Sequence, residues 1–159
     1  MSKAADAARA LLAAAHQGAL ATLGDDGTPL STFVALADDG LGRPLLLLSG
    51  LSEHTRNLRA RPRASVLVWA DEAGAGGPMD RARVTLSGTV TFLEGDVGGR
   101  ARARFVAVNP DAARYAALPD FSPARLEPDV VRFVGGFARA GSIELDEYLG
   151  GAPAPSPTS

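Results

Sequence analysis

The chain has 159 residues, of which 46% are hydrophobic and 21% charged, a composition typical of one globular domain rather than of a disordered protein. The formal charge of -2 gives no indication of nucleic acid as a partner, because nucleic-acid-binding proteins usually carry a basic excess. The chain has no cysteine, which excludes disulfides, thiolate metal sites and cysteine nucleophiles.

The first predicted element is a helix over residues 3–16, which are rich in Ala and Leu and are followed by Gly18. Lys3, Asp6 and Arg9 lie in the stretch that a signal peptide would keep apolar. No apolar run approaches the ~20 residues that a membrane span needs. We therefore expect a cytoplasmic protein that has no membrane-spanning segment.

Three short β-prone segments come next, at Ala19–Leu23, Pro29–Ala37 and Pro44–Leu48. Asp-Gly turns separate them, at residues 24–27 and 37–42. Asp-Gly between apolar segments is the strongest local signal for a β-hairpin. The segments therefore predict an antiparallel meander.

A short helix is predicted over residues 52–60, where Ser52 can cap the first turn and Glu53 lies just inside it. It ends before Arg61-Pro62, since the residue before a proline avoids the helical conformation. The preceding β-segment leads directly into this helix, whose free N–H groups and positive dipole end suit a phosphate. Hydroxyl and basic side chains gather there: Ser49, Ser52, His54, Thr55 and Arg56. The alternative is that Ser52 only caps the helix and that Arg56 and Arg59 are solvated.

The second half of the chain adds strands and two helices. Along residues 81–93, Ala82, Val84, Leu86 and Gly88 share one predicted face, in the two-residue period of a half-buried strand. The predicted strands of this half are Ala64–Ala70, Arg81–Leu93, Asp129–Val134 and Phe137–Leu145, and the predicted helices are Asp96–Val108 and Asp111–Leu118. Residues 150–159, rich in Gly, Ala, Pro and Ser, predict a disordered tail. About six short strands without a βαβ alternation favour a small barrel over a Rossmann fold.

One resemblance covers about residues 8 to 145. The run Ser-Gly-Leu-Ser-Glu-His-Thr-Arg-Asn-Leu (49–58), followed by Arg-Pro-Arg-Ala-Ser-Val-Leu-Val (61–68), resembles the pyridoxamine-phosphate-oxidase-related FMN-binding family. It is most similar to the branch with haem-utilisation proteins of the HugZ type. The resemblance implies a mainly β, six-stranded antiparallel FMN-binding split barrel over residues 1–149. It also implies a homodimer that encloses two FMN molecules at its interface.

The resemblance further implies a set of cofactor-binding residues. Thr32, Phe33 and Val34 would lie along the flavin ring, and Arg83 would approach the cofactor. Ser49, Ser52, His54 and Thr55 would surround the phosphate, with Arg56 and Asn57 beside them. His54 stands where the oxidases carry a lysine, so we expect a weaker hold on the phosphate. Trp69 would cover the ring or, as we favour, pack in the dimer interface.

The activity that the resemblance implies first is an FMN-dependent oxidoreductase acting on an unidentified small substrate, with no identifiable catalytic residue and no metal site. The alternatives are a haem-binding or haem-degrading protein of the HugZ type and a regulator that binds a ligand without turnover. No histidine follows His54, which counts against a haem ligand near the carboxyl end. Tyr115 and Tyr148 could bind iron, but we expect both to be ordinary surface or interface residues.

Overall fold

One antiparallel sheet forms the body of the protein, in a computed structural model that describes residues 2–72, 74–136 and 140–150. Within these residues the sheet has eight strands, flanked by four α-helices. The elements in chain order are α1 (Lys3–Ala14), β1 (Gln17–Leu23), β2 (Pro29–Ala35), β3 (Ala37–Asp38), β4 (Pro44–Ser49), α2 (Glu53–Ala60), β5 (Arg63–Trp69), β6 (Arg83–Phe92), α3 (Gly95–Val108), β7 (Phe121–Val134), β8 (Ala140–Ile143) and α4 (Leu145–Tyr148). Two short 3-10 helices, Pro78–Asp80 and Pro110–Arg114, precede β6 and β7.

The strand order makes the sheet curl back on itself. Neighbouring strands follow the order β2-β1-β5-β6-β7-β4-β3, and β8 pairs with β7. β2 and β3 are thus the two ends of this order, yet only Leu36 separates them along the chain. Because one residue cannot span a flat sheet of this width, the two ends must lie close together. The result is a split barrel, and the predicted mainly β fold class is confirmed. The described residues form eight strands instead of the six expected, because the short β3 and β8 add to the sheet.

Alternating burial gives the sheet an inner and an outer face. Leu20, Val66 and Leu86 lie opposite one another on β1, β5 and β6, and all three are fully buried. Their neighbours in sequence point to the other side and are partly exposed, among them Ala21, Ser65 and Ser87. We call the first side the inner face and the second the outer face.

Helices complete the core on both sides of β4. The buried face of α1, formed by Ala5, Ala8 and Leu12, packs into the same cluster as the inner face. A second cluster joins Leu45 and Leu47 of β4 to Phe105 of α3. β4 is therefore buried along both faces, which explains its unbroken run of apolar residues. No helix among the described residues is long and apolar enough to cross a bilayer.

The predicted meander is only half right. β1 and β2 form the expected hairpin, with Leu23 opposite Pro29. β4 does not pair with β2, however, because residues 37–38 form a strand of their own that pairs with β4. The other neighbour of β4 is β7, which comes far later in the chain. The second Asp-Gly turn therefore joins β3 to β4 in a hairpin that has only two residue pairs.

β7 begins at Phe121, eight residues before the predicted start at Asp129. Pro123 and Pro128 argued against a strand there, since proline cannot donate a hydrogen bond to a neighbour. In the structure Pro123 pairs with Leu47 of β4 and accepts a hydrogen bond from the Leu93 N–H at 2.9 Å. Pro128 lies opposite Gly88, where the register of β6 and β7 shifts. Both prolines thus occupy positions that tolerate the missing donor.

The carboxyl-terminal elements also differ from prediction. The predicted helix Asp111–Leu118 is only a 3-10 helix, Pro110–Arg114, and the predicted strand Phe137–Leu145 is reduced to Ala140–Ile143. β8 does pair with β7 around Gly135-Gly136, as expected, and α4 follows where no helix was predicted. Residues 137–139 of that predicted strand, and residues 151–159 of the predicted disordered tail, lie outside the described residues.

Tyr148 is a core residue, so its prediction as a surface or interface residue is wrong. It is fully buried, and its hydroxyl donates to the carbonyl of Gly42 at 2.8 Å. The Tyr148 carbonyl accepts a hydrogen bond from the Arg9 guanidinium at 3.1 Å, which ties α4 to α1. Burial raises the pKa of the Tyr148 hydroxyl. A phenol that is buried, hydrogen-bonded and hard to ionise is a poor iron ligand.

Candidate functional site

The turn from β4 into α2 is held by an acidic residue. The Ser49 hydroxyl donates to the Asp120 carboxylate at 3.1 Å and accepts a hydrogen bond from the Leu51 N–H at 3.2 Å. The Gly50 N–H donates to the Asp120 carbonyl at 2.7 Å. Asp120 therefore places a negative charge beside the hydroxyl that was predicted to bind phosphate. A phosphate at that point would be repelled by this carboxylate.

His54 is held by the neighbouring strand. Its Nδ1 atom lies 3.1 Å from the Thr32 hydroxyl, which also lies 3.4 Å from the Leu20 carbonyl oxygen. The imidazole is half-buried, and burial lowers the pKa of His54. The neutral form is thereby favoured, whereas a phosphate is best held by a cation. The structure thus brings His54 and Thr32 together, in a contact that fixes α2 against β2.

The other predicted residues of α2 point in different directions. The Arg56 guanidinium donates to the Leu51 carbonyl at 2.9 Å, and the buried Asn57 amide donates to the Thr22 hydroxyl at 3.1 Å. Thr55 is buried, and its hydroxyl has no hydrogen-bond partner among the described residues. Ser52 occupies the N-cap position, but its side chain makes no capping hydrogen bond. Phosphate binding by the predicted residues of the β4–α2 turn and of α2 stays a prediction. The hydrogen bonds that these residues make in the structure do not converge on one point.

The three residues predicted along the flavin ring lie on both faces of β2. Thr32 lies opposite the fully buried Leu20, and Val34 is only 6% exposed, so both belong to the inner face. Phe33 lies opposite Ala19 on the outer face and is 70% exposed. A flat ligand against one face can contact the Phe33 side chain or the other two, but not all three. Flavin binding by these residues stays a prediction.

Arg83 lies on the outer face, away from α2. It is opposite Trp69 of β5 in the strand register. Its guanidinium donates to the carbonyls of Met79 at 3.2 Å and Arg81 at 2.9 Å, which holds the 3-10 helix before β6. The predicted contact between Arg83 and a cofactor therefore stays a prediction.

Two open clefts that the sequence did not indicate meet at His16. The larger, of about 620 Å³, lies between α1 and the ends of β5 and β6, and we call it the Trp69 cleft. It is lined by Ala7, Ala10, Leu11, Ala14, Ala15, His16, Gln17, Trp69, Ala70, Asp71 and Ala82. The smaller, of about 430 Å³, has His16, Gln17, Phe33 and Tyr115 among its lining residues, and we call it the Phe33 cleft. The spacing of Ala7, Ala10 and Ala14 along α1 is the one sequence signal that could have indicated the larger cleft.

The family of this chain follows from its match to one family model. The family model described as "CREG, beta-barrel" matches residues 1–150. The chain belongs to the CREG β-barrel family. This agrees with the resemblance to the pyridoxamine-phosphate-oxidase-related group and its HugZ-type branch. A pyridoxamine 5'-phosphate oxidase-like protein from Listeria innocua, at 20% identity with a TM-score of 0.65 over 83% of this chain and 98% of that one, shares the fold alone.

Three proteins that are more similar to the chain are named for haem. The chloroplastic haem oxygenase HOZ of Arabidopsis thaliana is 35% identical over 129 residues, which are 77% of this chain and 38% of HOZ. The haem oxygenase HutZ of Vibrio cholerae is 28% identical over 136 residues, covering 82% of this chain and 75% of HutZ. A haem-binding protein from Mycobacterium smegmatis is 38% identical, with a TM-score of 0.88 over 94% of this chain and 61% of that protein.

These similarities change the order of the first two of the three functional interpretations. Haem is the molecule in the names of the more similar relatives, whereas FMN is suggested only by distant neighbours that share the fold. The alternative of a haem-binding protein is therefore better supported than the FMN-dependent oxidoreductase that the sequence resemblance put first. The chain spans 38% of HOZ and 61% of the Mycobacterium protein, so those proteins include parts with no counterpart in it.

Proposed function

We propose that this protein binds haem. The observation that carries the proposal is its similarity to proteins named for haem, with 35% identity to HOZ and 38% identity to the Mycobacterium smegmatis haem-binding protein. The second of these shares its fold over 94% of this chain. The pyridoxamine 5'-phosphate oxidase-like protein of Listeria innocua, on the side of the FMN alternative, is only 20% identical.

The size and the mostly apolar lining of the Trp69 cleft suit haem. Its volume of about 620 Å³ is within the usual range of sites for small molecules. Most of its lining is apolar, from alanine, leucine and tryptophan side chains, which suits a porphyrin ring. His16 supplies an imidazole at its wall, a ligand that suits iron. Because the cleft is open, the charged propionates of a bound haem can stay in water.

The α2 region fits a flavin phosphate less well. The Asp120 carboxylate lies within hydrogen-bonding distance of Ser49, and burial favours the neutral form of His54. Arg56, the one guanidinium predicted beside the phosphate, donates to a backbone carbonyl. FMN thus remains a less favoured ligand, and the same experiment can test both.

The test is a titration of the purified protein with haemin and, separately, with FMN, followed by visible absorbance. We expect a sharp Soret band that saturates near one haemin per chain, and no comparable uptake of FMN. Stoichiometric FMN binding without a saturable Soret band would overturn the proposal in favour of the flavin alternative. Failure to take up either ligand would also overturn it.

Haem degradation is a second candidate function, favoured by the names of HOZ and HutZ, both of which are haem oxygenases. Opening the porphyrin ring needs O₂ and a reductant, so the assay supplies both to the haemin complex. Catalase is added to remove free peroxide. Loss of the Soret band with release of iron to a chelator would support degradation. A Soret band that persists would limit the protein to haem binding.

We also propose that the protein forms a homodimer through the outer face, as the family resemblance implies. Between its larger side chains, the outer face of β1, β5 and β6 carries the small, partly exposed Ala21, Ser65 and Ser87 opposite one another, where a second sheet can approach closely. Phe33, on the adjoining β2, adds a large apolar side chain that is 70% exposed. A cytoplasmic location remains a prediction from the sequence.

A further inference from the structure

We infer that His16 binds the haem iron and that the porphyrin ring lies in the Trp69 cleft. The inference rests on the proposed function and goes beyond it, because it assigns the ligand and the place. His16 lies in the short connection between α1, which ends at Ala14, and β1, which begins at Gln17. Its backbone is fixed, since the His16 carbonyl accepts a hydrogen bond from the Leu36 N–H at 3.0 Å.

The His16 imidazole is available to a ligand. Its side chain is exposed and makes no hydrogen bond or ion pair with another described residue. It contributes to the walls of both clefts, so a ligand in either of them lies beside this residue. An imidazole that makes no other contact can bind a metal without the cost of breaking one.

The other candidate ligands within the described residues are less suitable. His54 is half-buried and its Nδ1 contacts the Thr32 hydroxyl at 3.1 Å. Tyr148 is fully buried and its hydroxyl is bound to the Gly42 carbonyl. Met79 is exposed on the 3-10 helix before β6 and lines neither cleft. Tyr115 lines only the Phe33 cleft, where its ring packs on Phe121 at 4.8 Å between centroids.

The Trp69 cleft is the better of the two for a porphyrin. It is larger, at about 620 Å³ against about 430 Å³. Its walls are also more apolar, because alanine, leucine and tryptophan side chains form most of them, although Gln17 and Asp71 lie there too. The Phe33 cleft has a larger polar share, with Gln17, Asn109 and Asp111 in its walls. The indole of Trp69 offers an aromatic surface against which the flat ring can stack.

The ligand is tested by comparing His16→Ala with His54→Ala in haemin titrations. We expect His16→Ala to weaken haemin binding at least tenfold and to shift the Soret band away from that of a histidine-bound haem. Adding imidazole to the His16→Ala complex should restore the wild-type spectrum, which a merely structural role of His16 would not allow. His54→Ala should keep the wild-type spectrum. Far-UV circular dichroism verifies that both variants are folded.

The place of the porphyrin is tested with a pair of adjacent substitutions on α1. Ala14→Phe puts a ring into the Trp69 cleft, whereas Ala13, also exposed on α1, does not line it. We expect Ala14→Phe to weaken haemin binding at least tenfold, and Ala13→Phe to bind as the wild type does.

The outcomes separate this inference from the proposed function. If the wild type takes up no haemin, the proposed function fails, and this inference fails with it. If the wild type binds haemin but His16→Ala keeps its spectrum and affinity, only the assignment of His16 is overturned. If Ala14→Phe binds haemin as Ala13→Phe does, the Trp69 cleft is not the site of the porphyrin.

Discussion

At the scale of single residues, Gly88 marks the closest approach between two strands. It lies on β6 opposite Pro128 of β7, at the point where their register shifts. A Cβ atom there would lie 2.7 Å from the carbonyl carbon of Glu127 and 2.9 Å from the Cα of Pro128. Both neighbours are backbone atoms, so the strands themselves would have to separate. This explains why the residue between Leu86 and Val90 on the buried face is a glycine.

We therefore predict that Gly88→Ala destabilises the protein by at least ~2 kcal/mol, because the strands must move apart to admit the methyl group. The matched substitution is Gly99→Ala in α3, where an added Cβ meets nothing within 4 Å. That change should stabilise the protein by ~0.5–1 kcal/mol, since alanine favours the helix. Urea unfolding of both variants measures the difference. Equal stabilities would contradict the role assigned to Gly88.

A second residue-scale prediction concerns His54. Burial lowers its pKa from the ordinary value of 6.5, so the unfolded chain takes up a proton on this residue at a higher pH than the folded chain does. Above about pH 6.5 His54 is neutral in both states and does not oppose folding. As the pH falls below that value, the unfolded chain is protonated first, and the free energy of unfolding decreases. We predict that His54→Gln removes this part of the pH dependence and flattens the curve between pH 7 and 5. Urea unfolding at several pH values tests this, and parallel curves for the two proteins would contradict it.

At the scale of the elements, two helices begin with serine, but only one serine makes a capping hydrogen bond. The Ser2 hydroxyl accepts a hydrogen bond from the Ala5 N–H at 3.2 Å, whereas the Ser52 hydroxyl makes no such bond. We predict that Ser2→Ala lowers the free energy of unfolding by ~1 kcal/mol, the usual contribution of an N-cap. Ser52→Ala should change it by less than ~0.5 kcal/mol. A larger loss from Ser52→Ala than from Ser2→Ala would contradict this assignment.

The elements differ in how well their own sequence predicts them. α1, α2, β1, β5 and β6 follow their hydrophobic periods, and their predicted bounds lie within a few residues of the structure. The first half of β7 could not be predicted, because Pro123 and Pro128 are acceptable only where their neighbours do not need a donor. The pairing of β4 with β7 was equally hidden, since it joins residues more than 70 positions apart.

The candidate site, too, could be predicted only where it depends on residues that are consecutive in the chain. The sequence located the turn from β4 into α2 and the polar residues around it, because these are consecutive. It could not show that Asp120 binds Ser49, or that Thr32 contacts His54, because these contacts depend on how the sheet curls. The Trp69 cleft was missed for the same reason, since α1 and the ends of β5 and β6 meet only in the folded chain.

At the scale of the whole molecule, the curled sheet has a closed inner face and an open outer face. The inner face is closed by α1, α2 and α4, and its polar contacts, such as those of Asn57 and Tyr148, are internal. The outer face is covered by none of these helices and carries the partly exposed side chains of β1, β5 and β6. His16 lies where α1 meets this sheet, so a ligand bound there would lie close to the surface we propose for the dimer.

The dimer can be tested with two single variants, each of which places a lysine at an exposed apolar position. We predict a dimer for the wild type at micromolar concentration, and a monomer for Phe33→Lys, because a buried lysine without a partner opposes association. Leu51→Lys is the control, since Leu51 is 80% exposed but lies in the turn before α2, off the outer face. It should remain a dimer. Sedimentation velocity at micromolar concentration distinguishes the species. A monomeric wild type, or dissociation by Leu51→Lys and not by Phe33→Lys, would mean that the outer face is not the interface.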